Sequence, residues 1–160
     1  RTAREIWVNG TYDYYGWHTY NPTTSRTCPR RTPTCRVGQP WKTTDVVRAA
    51  STLFTDGPDG VTGNDDLGTM SAWHVLSSIG VYPMAPGADL WGLTTPRFED
   101  VRIDLDGSFY KRGSLHITAD GVSDTQRYTR DARLGWRDLD RAYVTGGELT
   151  RAGSLDFEVD

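Results

Sequence analysis

Two adjacent carboxylates, Asp65 and Asp66, stand with Asn64 between the glycines Gly63 and Gly68, directly ahead of a run of helical periodicity. A carboxylate at a helix start meets free backbone N–H groups and the positive end of the helix dipole, which favour its ionised form. An ionised carboxylate can take a proton from water, so this segment could supply a general base. Neighbouring side chains diverge, and one acid is expected to face a substrate while the other holds the loop. The same residues also fit a plain helix cap, in which Asp66 only satisfies backbone donors, and composition alone favours that reading.

Other residues with chemical potential surround this loop. Trp41 could stack on the C–H face of a sugar ring, and Lys42 could bind sugar hydroxyls or pair with Asp45. Trp73 lies at helical spacing and reads as core. Neither His74 nor His116 takes a catalytic role, and the Asp56–Gly60 stretch lacks the ligand spacing of an EF-hand, so it reads as turn chemistry. Cys28 and Cys35 bracket a polar Pro/Arg/Thr loop. A local disulfide would fix that loop and implies an oxidising compartment, hence a secreted or extracytoplasmic protein; two free thiols are the alternative. With no His or further Cys nearby, the pair cannot complete a zinc shell.

The elements that must position these groups fall into three zones. From Arg1 to about Pro40, aromatic residues including Trp7, Tyr14 and Trp17 are dense but follow no sustained period. In the second zone Thr43 or Thr44 is predicted to cap a helix with Asp45 in its first turn and with Val46, Val47, Ala50, Leu53 and Phe54 on one face. A loop from Asp56 to Gly68 follows, then a helix from about Gly68 to Ile79 carrying Met70, Trp73, Leu76 and Ile79, with Gly80 as its left-handed C-terminal cap. Beyond Pro96 the period changes to alternation. Strands are predicted at Val101–Leu105, Leu115–Ala119, Arg127–Leu134, Arg141–Thr145 and Leu155–Val159, together a small antiparallel β unit.

Composition narrows the function classes. A net charge of -3 over 160 residues, with both signs interspersed, lacks the basic face of a nucleic-acid binder. No apolar run approaches the roughly 18 residues of a membrane span. The chain opens on Arg1 in what reads as mid-domain sequence, so further residues are expected upstream.

The string from Gly63 through Asn64, Asp65, Asp66, Leu67 and Gly68 into Met70-Ser71-Ala72-Trp73-His74, then Gly80-Val81-Tyr82-Pro83, resembles the signature of glycoside hydrolase family 92. Upstream, Pro40-Trp41-Lys42-Thr43 and Pro58-Asp59-Gly60 are similar to further elements of that family. The resemblance is strong from about Gly38 to Asp104 and continues more weakly to the end. It implies a mixed α and β fold, with residues 1–96 part of an (α/α)6 helical barrel and residues 97–160 a small antiparallel β segment.

The resemblance also implies an inverting exo-α-mannosidase, with mannose-containing glycans as substrate and α-1,2 linkages expected. Asp66 falls on the family's general base, Asp65 on the acid beside it, and Asn64 on a position where some members carry a further Asp. Trp41 and Lys42 join Asn64 as candidate substrate contacts. Inversion needs a second, protonated carboxyl roughly 6.5–9.5 Å from the first. The family's Glu-Gly-Asn element carrying that acid is absent from this sequence and is expected before Arg1, so the chain needs the upstream part of its own protein. Calcium is the implied cofactor, yet where the family carries Asn-Glu-Pro ahead of a His, an alignment on His18 puts Tyr14 at the glutamate. A noncatalytic sugar-binding module and a structural module with an aromatic partner surface are the other function classes.

Overall fold

Proline has no N–H to leave unpaired and its φ is already helical, so Pro40 opens the first helix, α1 (Pro40–Ser51). A start at Thr43 or Thr44, with Asp45 in the first turn, is therefore too late. Both threonines are buried inside the helix instead, and Thr44 Oγ1 meets Thr94 Oγ1 at 3.0 Å. A computed structural model describes residues 39–58, 60–61, 64–85 and 87–160.

The second helix, α2 (Thr69–Ser78), falls within its predicted span. Gly80 sits just beyond it at φ 91°, as the sequence required, and a Cβ there would lie 2.7 Å from the Thr94 carbonyl oxygen. Val47 and Ala50 of α1 pack with Met70 and Trp73 of α2, with Phe54 and Tyr82 against them. The turn between the helices closes on its own backbone, Thr55 N–H donating to Gly60 O at 3.0 Å and Gly60 N–H to Gly57 O at 2.9 Å.

After Gly80 the chain forms a short hairpin, β1 (Val81–Pro83) with β2 (Trp91–Leu93), and β7 (Tyr143–Val144) adds to β2 to give an antiparallel sheet ordered β1-β2-β7. This sheet takes strands from both sides of Pro96. A second sheet contains β3 (Asp100–Asp104), β4 (Ser114–Thr118), β5 (Thr129–Leu134), β6 (Arg137–Asp138) and β8 (Ser154–Val159), in the order β3-β4-β8-β5-β6. Its inner face carries Leu115, Ile117, Leu134, Leu155 and Phe157, buried together with Val81, Leu93 and Val144 of the first sheet. The alternation at 115–119 and 155–159 thus marks true half-buried strands.

The expectation of a purely antiparallel unit fails at one pair, because β4 and β8 run parallel. A parallel neighbour demands a crossover rather than a tight turn, and here a helix supplies its last part. That helix, α3 (Gly146–Ala152), is not anticipated by the sequence reading. Its capping box is complete: Thr145 Oγ1 accepts from Glu148 N–H at 3.1 Å, and Glu148 Oε2 accepts from Thr145 N–H at 2.8 Å. Gly153, at φ 78°, closes its other end.

Glu148 is also the receptor for Arg137 at 3.0 Å and Arg141 at 2.6 Å. The Thr145 N–H leads in holding its carboxyl at about 2, below its ordinary 4.5, with both arginines adding and partial burial opposing. A depressed carboxyl stabilises the fold fully above its unfolded pKa and loses that contribution as pH falls from about 4.5 towards 2. Glu148→Gln is accordingly expected to cost about 1–2 kcal/mol at pH 7, discounted for solvent at the rim, and almost nothing near pH 2. Urea midpoints of both proteins across that range check it.

Candidate active site

The loop leading into α2 is built from three successive left-handed residues, Asp66 (φ 50°), Leu67 (φ 58°) and Gly68 (φ 89°). Glycine adopts this region freely and aspartate tolerates it, but for leucine it costs on the order of 1–2 kcal/mol. Such a backbone persists only when its surroundings hold it. Here they do so through hydrogen bonds. Met70 N–H donates to Asp65 O at 3.1 Å, Thr69 Oγ1 donates to Asp66 O at 2.7 Å, and Ala72 N–H donates to Gly68 O at 2.8 Å.

The two carboxylates then part company. Asp65 Oδ1 accepts from the Ser71 N–H at 2.9 Å and from Ser71 Oγ at 2.8 Å, which satisfies a free donor of the first helical turn. Those two bonds, the backbone one first, hold its carboxyl below the usual aspartate range. Asp65 is therefore the cap, and the plain reading in which Asp66 fills that place does not describe this loop. Gly68, the N-cap by backbone position, has no side chain to contribute. Asn64, Asp66 and Leu67 are exposed, Leu67 fully so at 108%. The arrangement leaves the side chain of Asp66 outside the cap and facing solvent.

Asp65→Ala is expected to raise the exchange rate of the Ser71 amide on the order of tenfold while the core amides of α2 keep their protection. Hydrogen exchange resolved by residue reads both.

The other sequence candidates scatter. Trp73 is core, 1% exposed, its ring stacked on Phe54 at 5.5 Å. Trp41 is 48% exposed and lines, with Arg130, Asp140, Arg141 and Tyr143, a groove of about 620 Å³ that includes neither Asp65 nor Asp66. Lys42 is exposed on the first turn of α1. Its suggested partner Asp45 is engaged elsewhere, accepting from Tyr128 Oη at 2.9 Å with Arg127 at 3.3 Å. His74 stacks on Phe54 at 4.4 Å, and burial followed by the charge of Arg97 depresses its pKa, so the ring is a neutral packing element. His116 pairs across the sheet with Asp100 at 2.7 Å.

Cys28, Cys35, Tyr14 and His18 lie outside the described residues, as does Gly63. Among the described residues no group of three or more His, Cys, Asp or Glu side chains is placed to hold a metal ion. Sequence reasoning missed Ser71, whose amide and hydroxyl decide which acid is spent on the cap. A serine six positions after an acid was the available signal.

Comparisons with known proteins bear on the fold and the family. The glycosyl hydrolase family 92 catalytic domain matches residues 35–160. No curated protein matches the chain. Among solved structures, a family GH92 α-mannosidase from Bacteroides thetaiotaomicron is similar with a TM-score of 0.75 at 24% identity, over 88% of this chain and 18% of that one. The same protein has been solved in complex with mannoimidazole. A family GH92 inverting mannosidase from Bacteroides thetaiotaomicron VPI-5482 gives a TM-score of 0.74 at 25% identity, over 99% of this chain and 23% of that one. The glycosyl hydrolase ccman5 of the same family gives 0.75 at 20% identity, over 94% and 24%. This chain spans about a fifth of the length of these relatives. With the catalytic-domain match running through the Asp65–Asp66 loop, both helices and both sheets, the chain belongs to glycosyl hydrolase family 92.

Proposed function

We propose that this chain is part of an inverting exo-α-mannosidase that removes terminal α-linked mannose, α-1,2-linked in the first instance, from glycans, and that Asp66 is its general base. The observation that carries this is the division of labour in the loop: Asp65 is committed to Ser71, and Asp66 is held out of the cap and exposed. In inversion the Asp66 carboxylate takes a proton from a water whose oxygen bonds to the anomeric carbon. The glycosidic C–O bond breaks on the opposite face, and a second carboxyl protonates the leaving oxygen. That acid belongs to the part of the protein upstream of Arg1, and α1 and α2 belong to an (α/α)6 barrel completed by the same part. The glycan substrate and the Cys28–Cys35 spacing support a secreted or extracytoplasmic location.

The test is mannose release from α-1,2-mannobiose by the full-length protein, followed by proton NMR of the anomeric signals in the first minutes. Release of β-mannose ahead of its mutarotation supports the reading. Initial release of α-mannose contradicts inversion, and a folded full-length protein that binds mannobiose without cleaving it contradicts the enzyme and favours a sugar-binding module.

A further inference from the structure

Three arginines from three distant parts of the sequence converge beside α1. Arg48, Arg97 and Arg127 line a cavity of about 340 Å³ together with Asp45, Asp124 and Thr52. Three guanidinium groups face two carboxylates there, an excess of one positive charge. The site lies apart from the Asp65–Asp66 loop in the sense that no residue of that loop lines it.

Arg127 is engaged, donating to the Asp124 carbonyl oxygen at 3.3 Å and to Tyr128 Oη at 3.1 Å and pairing with Asp45 at 3.3 Å, but Arg48 is poorly satisfied by what surrounds it. Arg48 is 16% exposed at its side chain, so it has lost most of its water. In exchange Nη1 reaches Asp124 Oδ1 at 3.5 Å and Nη2 reaches the Pro96 carbonyl oxygen at 3.4 Å, both at the outer limit of a hydrogen bond. Asp124 itself is fully exposed, which weakens it as a counter-ion. The Nε atoms of Arg48 and Arg127 are buried with no acceptor among the described residues. A charge-assisted pair of structural purpose sits nearer 2.7–2.9 Å, as Arg141 does on Glu148 at 2.6 Å in this same protein. Burial lowers the pKa of Arg48, and the neighbouring charges of Arg97 and Arg127 lower it further against the opposing pull of Asp124. Arg48, with long bonds, and Arg97, with no side-chain hydrogen bond among the described residues, thus bring to the cavity wall positive charge that the acceptors there satisfy weakly.

We propose that this cavity is a binding site for a small oxyanion of the phosphate or sulfate type, free or carried as a substituent on a sugar. An oxyanion offers several acceptor oxygens to guanidinium forks whose planar donors suit them, and it neutralises the surplus charge. Arg97 is the exposed member at the rim, and among the described residues its guanidinium holds no hydrogen bond, so it is the residue to alter without disturbing the fold.

The experiment is calorimetric titration of the full-length protein with inorganic phosphate and with sulfate at constant ionic strength set by chloride, repeated on Arg97→Gln. Saturable binding of either anion that weakens about tenfold or more in Arg97→Gln, with the melting temperature in chloride unchanged, is the expected result. A third arm with a hexose 6-phosphate separates the two sources, since tighter binding than phosphate points to a substituted sugar and equal or weaker binding to the free anion. Absence of saturable binding, or wild-type affinity in both Arg97→Gln and Arg48→Gln, overturns the site. A second variant, Arg48→Gln, guards against a rim residue that contributes little: if it too binds phosphate as the wild type does while remaining folded, the cavity is not where the anion sits.

Discussion

In the full-length protein, Asp66→Asn is expected to slow mannose release by about 10²–10⁴-fold, the usual contribution of a positioned proton acceptor. The substitution suits the question because asparagine, like aspartate, tolerates the left-handed backbone found at φ 50°. The Asp66 carbonyl keeps its bond from Thr69, and Asp65 keeps its bonds to Ser71, so the loop retains its shape. What is lost is the ability to take a proton. The effect should therefore fall on kcat, with KM within a few-fold of the wild type and the melting temperature unchanged. Steady-state kinetics on α-1,2-mannobiose decide it, and a rate within about threefold of the wild type would remove Asp66 from the mechanism. Asp66→Ala is the poorer probe, since a Cβ-bearing residue without a polar side chain adds strain at that φ.

The second large effect is on stability. Trp73→Ala is expected to cost about 3–5 kcal/mol, the range for removing a large buried aromatic from a packed interior. Trp73 is 1% exposed, stacks on Phe54 and, among the described residues, shares its core with Val47, Ala50 and Met70, with Tyr82 packed against them. Because α2 carries the Asp65–Asp66 loop at its N-terminus, loosening this helix should also depress activity at temperatures well below the unfolding midpoint. Denaturant unfolding of the full-length protein and of Trp73→Ala, with the catalytic rate measured in parallel, separates the two effects. A loss under about 1 kcal/mol would show that the small core between α1 and α2 contributes little to holding the loop.

The helix around Trp73, the glycine at 80 and the inner faces of β4 and β8 were legible because each rests on local chemistry: spacing of apolar residues, a left-handed cap, strict alternation. The start of α1 was misplaced because threonines that look like caps are also good buried partners, and Thr44 found Thr94 fifty residues away. A strand at Arg141–Thr145 was legible and contains β7, but the parallel pairing of β4 with β8 and the pairing of β7 with β2 depend on which segments meet in space, which alternation does not encode. At the site, the sequence marked the loop and anticipated that the two acids would diverge, but the cap fell to Asp65 rather than Asp66 through the hydroxyl and amide of Ser71. The arginine cavity was invisible in the same way. Positions 48, 97 and 127 share no period, and only the packed fold brings their charges together.

The place of β8 in the five-stranded sheet also dictates an order of events during synthesis. β3 pairs with β4 and β5 with β6 through connections short enough to close as soon as each is made, but neither pair touches the other, because β8 lies between β4 and β5. On a growing chain the two hairpins therefore wait with their inner edges unpaired until residues 154–159 emerge, and a ribosome paused in that interval exposes two adhesive edges at once.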